Sequence, residues 1–196
     1  MKHYFTNDPE RTINRKNISF RFSTILESFV SDDGVFSKDT LDFGSRVLLE
    51  TLMNQQIDGD VLDLGCGIGY IGILLKKYKP QINLTMSDVN RTAVELAEIN
   101  SYNYRQANTC VVSDSFENLS QSFDVIVSNP PIRTGKQNIY KMFAEAYAHL
   151  KENGKLYLVI RVKQGAKSAC DYLATLGGSV SVIEKENGYW IILLEK

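Results

Sequence analysis

The stretch Val61-Leu-Asp-Leu-Gly-Cys-Gly-Ile-Gly69 decides how the rest of the chain is read. Its first four residues form a short apolar run, the length of a buried strand rather than of a helix. Glycines at 65, 67 and 69 then let the backbone turn sharply and come close to a ligand. A helix is expected to open after them and run to about Lys77. In an open parallel sheet such a turn lies outside the carboxyl end of a strand, where ligands bind.

Downstream, the same alternation repeats. Strands are predicted at 82–86, 108–112, 123–127 and 155–160, with helices at 91–102, 139–150 and 166–176 between or after them. Asn90 has the right chemistry to cap the first of these helices. Asn153-Gly154 and Gly177-Gly178 read as stops for the other two. The runs 179–184 and 189–194 flank Asn187-Gly188, a strong hairpin signal. Repeated β-α units imply a parallel sheet with helices on both faces. The expected fold is therefore α/β and Rossmann-like, seven-stranded and mostly parallel with a C-terminal antiparallel hairpin. Residues 1–58 read as an N-terminal extension with a strand at 18–22, a loop and a leading helix at 44–55, and residues 59–196 as the core.

Three acids sharpen the glycine loop. Asp63 lies in the strand two residues before Gly65, where its carboxylate faces the loop and either orders it or binds a cationic group. Asp88 follows the next strand about twenty residues on, where a carboxylate accepts both ribose hydroxyls or caps a turn. Asp114 ends the third strand, placed to meet an adenine amine or to shape a turn. Gly67-Ile-Gly69-Tyr-Ile-Gly72 also fits the dinucleotide pattern G-x-G-x-x-G. However, the chain offers no P-loop Lys-Ser/Thr for phosphates, and Asp63 disfavours an anion beside the loop.

The fourth strand ends in Ser128-Asn-Pro-Pro-Ile-Arg-Thr-Gly-Lys136. Two prolines stiffen the backbone and remove two N–H donors, and Pro131 biases Pro130 towards an extended conformation. The Pro130 carbonyl is left free to accept, beside the side-chain oxygen of Asn129. A group that donates hydrogen bonds is expected to sit there.

The totals exclude several classes. The chain has 196 residues, 43 % apolar and 23 % charged, with a net charge of −1. A surface that grips nucleic acid everywhere would be basic, so contact of that kind must come from a local patch. Residues 1–21 offer one, with Lys2, Arg11, Arg15, Lys16 and Arg21 against Asp8 and Glu10. No run approaches the roughly 18 apolar residues of a membrane span, and the N-terminus lacks a signal-peptide core. Cys66, Cys110 and Cys170 are odd in number and scattered, as in a reducing cytosol. With only two histidines and no ligand spacing, a metal site is not expected. A cytoplasmic location is.

Taken together, the glycine run at 61–70, Asp88, Asp114 and Ser128-Asn-Pro-Pro-Ile132 resemble a class I S-adenosylmethionine-dependent methyltransferase. The Asn-Pro-Pro box marks the branch acting on planar exocyclic nitrogens. More narrowly, Gly34-Val-Phe-Ser-Lys38, Leu41-Asp-Phe-Gly-Ser45, the box through Lys136 and Lys163-Gln-Gly-Ala166 resemble the small-domain ribosomal RNA guanine-N2 methyltransferases. Two-domain members of that family carry a degenerate second copy in front, where this chain has one. They also tend to have an aromatic where this chain has Ile132.

The resemblance implies S-adenosylmethionine as cofactor, held by Asp63, Gly65, Cys66, Gly67, Gly69, Asp88, Val89, Asp114 and Asn129. It implies Asn129, Pro130 and Pro131 as the catalytic box, and Ile132, Arg133, Lys136 and Phe36 as substrate contacts. Ribosomal RNA or a small-subunit particle becomes the expected partner. Other readings are a DNA or RNA adenine amine, a protein glutamine amide, or a cofactor-binding ribosome-assembly factor without chemistry.

Overall fold

The structure, a computed structural model, describes residues 14–196 apart from the side chain of Arg133. The chain begins with strands β1 (Arg15–Phe22) and β2 (Ile25–Asp32), then helix α1 (Phe43–Met53). There follow β3 (Asp60–Leu64), α2 (Tyr70–Tyr78), β4 (Asn83–Asp88), α3 (Arg91–Asn103) and β5 (Thr109–Val112). The second half is β6 (Phe123–Ser128), α4 (Lys136–Ala148), β7 (Leu150–Arg161), α5 (Ala166–Leu173), β8 (Ser179–Glu186) and β9 (Tyr189–Glu195). Short 3₁₀ turns at Ile132–Thr134, Val162–Gln164 and Ala174–Leu176 flank the last helices.

Seven strands form one sheet in the order β5-β4-β3-β6-β7-β9-β8. The first five are parallel, and β9 runs antiparallel to both β7 and β8. This is the expected architecture. The chain leaves β3 towards one edge, then returns to lay β6 on the other side of β3. The strand order therefore reverses between β3 and β6, where a ligand crevice opens at the carboxyl ends.

Alternation along the strands sorts side chains into two cores. Val61, Val125, Val127, Tyr157, Val159 and Ile191 join α1, α2 and the β1-β2 hairpin on one face. Leu62, Leu64, Ile126, Leu156, Leu158 and Ile192 join α4 and α5 on the other. Burial on both faces explains why the central strands read as continuous apolar runs. Each fully buried Leu or Ile contributes about 2 kcal/mol.

Two expectations need correction. The segment after 18–22 is not a loop: β2 pairs with β1 from Phe22↔Ile25 to Arg15↔Asp32. Its apolar pattern is interrupted by Glu27, which is buried rather than solvated. Glu27 accepts from Lys77 Nζ at 2.6 Å and from the Tyr104 hydroxyl at 2.6 Å. Asn100 of α3 then docks the strand edge, receiving the Val30 N–H at 2.7 Å and donating to the Val30 carbonyl at 3.0 Å.

The second correction concerns Asn153-Gly154, which does not end a helix. Helix α4 stops at Ala148, capped by His149, and the pair lies inside β7. Between the pairs Phe123↔Leu150 and Val125↔Lys155, β6 advances two residues while β7 advances five. Asn153, with φ 63°, takes the bend of that detour. Asn187-Gly188, in contrast, turns as expected, with φ of 44° and 80° between β8 and β9.

Candidate active site

A cavity of about 780 Å³ lies across the carboxyl ends of β3 to β7. Gly65, Cys66 and Gly67 form its floor, with Asp88, Val89, Asp114, Asn129, Pro130, Pro131, Ile132 and Phe36 around them. Most of the residues singled out from the sequence thus meet in one place.

The glycine loop is held from beneath. Gly65 and Cys66 both donate their N–H to the Ser87 carbonyl, at 2.8 and 2.9 Å. Gly67 donates to Asp88 Oδ2 at 2.9 Å, and Asn90 donates to Asp88 Oδ1 at 2.8 Å. Asp88 therefore anchors the loop as well as lining the cavity. Burial pushes its carboxyl above the ordinary value, against the lowering effect of the N–H groups of Asn90, Gly67 and Val89. Gly65 and Gly67 have φ of 72° and 55°, and a Cβ at either would meet nothing within 4 Å. The backbone there is bare and open, so a ligand can approach the main chain itself.

Asp63 and Gly69 do not line this cavity. Asp63 is 1 % exposed and lies under the loop, where Oδ2 accepts the Gly72 N–H at 2.8 Å. It ties β3 to the first turn of α2. Burial raises its carboxyl to about 7, the Gly72 N–H opposes the rise, and the charge of Asp88 adds to it. Gly69, with φ 90°, is the N-cap of α2 and shapes the turn. The Cys66 thiol is buried and pushed well above its ordinary value, chiefly by burial, so it packs rather than reacts.

At the far end, Asp114 is exposed on the wall. Beside it, Ser115 Oγ donates to Glu145 Oε2 at 2.5 Å, bringing α4 to the same end of the cavity. Neither Ser115 nor Glu145 carried a motif. Phe36 is 46 % exposed and lines the cavity. Its segment is fastened by Asn90 Nδ2 donating to the Gly34 carbonyl at 3.1 Å and Tyr70 donating to the Ser37 carbonyl at 3.1 Å.

The proline box begins where β6 ends. Ser128 Oγ donates to the Leu64 carbonyl at 2.7 Å, which fixes the box against the start of the glycine loop. Asn129 Nδ2 donates to Ser45 Oγ at 3.0 Å and to Asp42 Oδ1 at 3.2 Å. Its own Oδ1 is thereby left as the acceptor end. The Pro130 carbonyl is not free, as the proline pair alone had implied. Pro131 has φ −75° and ψ 72°, which brings the Ile132 N–H to the Pro130 oxygen at 2.8 Å. This tight turn takes one lone pair and leaves the second.

The remaining contacts divide. Ile132 lines the cavity. Lys136 instead faces a neighbouring cavity of about 260 Å³, its Nζ 5.1 Å from the centre of the Tyr140 ring. The side chain of Arg133 lies outside the described residues, as do the first 13 residues of the basic N-terminal patch. Of that patch, Lys16 is spent on ion pairs with Asp33 and Asp39. Arg161 and Tyr189 also line the cavity, the guanidinium 5.6 Å from the ring centre. Phe43 packs on Tyr189 at 5.6 Å rather than lining the cavity. Asp42 and Ser45 were visible only as part of the segment 41–45, and their link to Asn129 was not.

The acidic wall and bare glycine backbone fit a cationic ligand carrying a ribose and an adenine.

The chain is similar to several known proteins. A family model described as "Methyltransferase small domain" matches residues 27–193. YbxB of Bacillus subtilis (strain 168) is 40 % identical over 198 residues, covering 100 % of this chain and 98 % of that protein. The ribosomal RNA small subunit methyltransferase C of Haemophilus ducreyi is 35 % identical over 87 % of this chain, which spans 52 % of its length. A Thermus thermophilus structure described as 16S rRNA N2 G1207 methyltransferase, in complex with AdoMet and guanosine, superposes with a TM-score of 0.84 at 24 % identity. It is matched over 96 % of this chain and 52 % of its own.

Proposed function

The chain belongs to the methyltransferase small-domain family, and on that premise we propose that it methylates the exocyclic amine of a guanine in small-subunit ribosomal RNA. The observation that carries this reading is the fixed orientation of Asn129. With Nδ2 donating to Asp42 and Ser45, its oxygen is the end left to receive an N–H.

When bound, S-adenosylmethionine supplies an electrophilic methyl group on a sulfonium. Gly65, Gly67, Asp88, Val89 and Asp114 would hold it, and Cys66 would close the floor beneath it. The residues of the box address the harder partner, the nucleophile. An aryl amine shares its lone pair with the ring and is flat and weakly basic. Asn129 Oδ1 and the remaining lone pair of Pro130 can each take one N–H, which favours a pyramidal nitrogen with its lone pair exposed. Such groups work by being preorganised rather than by strong basicity. The amine proton becomes acidic as the nitrogen is alkylated, so no strong base is required.

The substrate class rests on the Asn-Pro-Pro box and on the relatives named above. Ribosomal RNA is the partner, either naked or in a small-subunit particle, and the cytoplasm the site of action. A guanine within folded RNA must be unstacked to reach Asn129, and Arg161 with Tyr189 offer a charged and aromatic wall for it.

The test is transfer of labelled methyl from S-adenosylmethionine to ribosomal RNA, followed by nucleoside mass spectrometry. N2-methylguanosine is the expected product. Asn129→Ala should retain cofactor affinity and lose at least a hundredfold in kcat, the scale of removing one preorganised partner. Label in adenine or in protein would overturn the substrate, and a fully active Asn129→Ala would overturn the mechanism.

A further inference from the structure

We propose that Asp42 is a positioning residue for the transfer, acting through Asn129; this rests on the reading that Asn129 receives the target amine. A carboxamide has a donating and an accepting end of nearly the same shape, and only one suits an N–H substrate. A carboxylate can only accept. Asp42 Oδ1, 3.2 Å from Asn129 Nδ2, therefore forces the amide nitrogen towards itself and the oxygen away. Ser45 Oγ, at 3.0 Å, takes the second hydrogen. With both hydrogens engaged, the amide cannot flip without losing two bonds.

Asp42 is itself held in place. The same Oδ1 accepts the Ser45 N–H at 3.1 Å, capping the first turn of α1. Its other oxygen, Oδ2, is buried and accepts no hydrogen bond among the described residues. The carboxylate stands one amide away from the proposed position of the reacting nitrogen. As the C–N bond forms and the C–S bond breaks, positive charge passes from sulfur to nitrogen and leaves as a proton. A fixed anion behind Asn129 polarises the amide oxygen and favours that charge. Two features of the local sequence, the cap of α1 and the proline box after β6, become one device.

Two variants separate this role from simple capping. Asp42→Ser keeps a good N-cap but is too short to reach Asn129. Asp42→Asn keeps the oxygen that both caps α1 and receives Asn129 Nδ2, and removes only the charge. Both should melt near the wild-type temperature and bind S-adenosylmethionine within about twofold of wild type, while kcat falls on the order of tenfold to a hundredfold. The KM for RNA should stay nearly constant. In a double-mutant cycle with Asn129→Ser, the two losses should combine to little more than the larger one, because Asp42 acts only through Asn129. Full kcat in Asp42→Ser, or losses that multiply, would overturn the proposal while leaving the methyltransferase reading intact. A wild-type protein that transfers no methyl would sink both.

Discussion

Ser128 Oγ donates to the main-chain carbonyl of Leu64 at 2.7 Å, across the gap between two neighbouring parallel strands. Leu64 is the last residue of β3 and Ser128 the last of β6. One hydrogen bond therefore sets the proline box against the glycine loop, and both line the same cavity.

Ser128→Ala leaves the Leu64 carbonyl without that donor in a site where Ser128 is fully buried. Loss of such a buried partner costs about 1–3 kcal/mol, read as a lower midpoint in urea unfolding with an unchanged slope. The rate of transfer should fall more than cofactor affinity does, because the two loops lose their mutual register. An unchanged kcat in a destabilised variant would show that the bond serves the fold alone.

Asp63 makes stability depend on pH. Its carboxyl titrates at about 7 when folded and near 3.8 when not. Below the unfolded value both states are protonated and nothing is lost. Between about 4 and 7 the unfolded chain has released the proton and the folded one still holds it, so stability falls as pH rises. Above 7 the deficit is constant, at most about 4 kcal/mol. Asp63→Asn keeps an acceptor for Gly72 and removes the titration. Its melting temperature should exceed that of wild type at pH 8, and the gap should narrow as pH falls through 7 and close only near pH 4. A gap independent of pH would contradict the buried, raised carboxyl.

Asp88 receives N–H groups on both oxygens, from Asn90 and Gly67. Asn at this position can accept with one end only and turns an NH2 towards the other donor. Calorimetry of Asp88→Asn should show S-adenosylmethionine bound at least about tenfold more weakly, the cost of about 1.4 kcal/mol. A variant that binds normally would make Asp88 a loop anchor and nothing more.

The hairpin β1-β2 is fastened by a charge. Glu27 is 2 % exposed and pairs with Lys77, whose side chain remains 31 % exposed. Lys77→Met leaves Glu27 buried, with the Tyr104 hydroxyl still donating to it. The expected loss is about 2–3 kcal/mol, the low end for a broken buried pair because Lys77 is partly solvated. Chemical denaturation measures it, and a change within 0.5 kcal/mol, the size of an ordinary surface substitution, would show that the hairpin is held by its aromatic contacts instead.

The sequence by itself determined the alternation of strands and helices, the closing hairpin and the two loops that meet at the cavity. Those signals are local: the apolar run Val61–Leu64, the cap at Asn90 and the turn Asn187-Gly188 each act over a few residues. The tertiary structure decided whatever depended on which distant group arrived beside a given side chain. It put Glu27 inside, because Lys77 and Tyr104 come to meet it. It placed Asp63 beneath the loop rather than on the cavity wall, because Gly72 claims its oxygen. It also turned the amide of Asn129, 87 residues along the chain from Asp42, towards that carboxylate. Periodicity says which way a side chain faces, but its partner depends on how the chain returns.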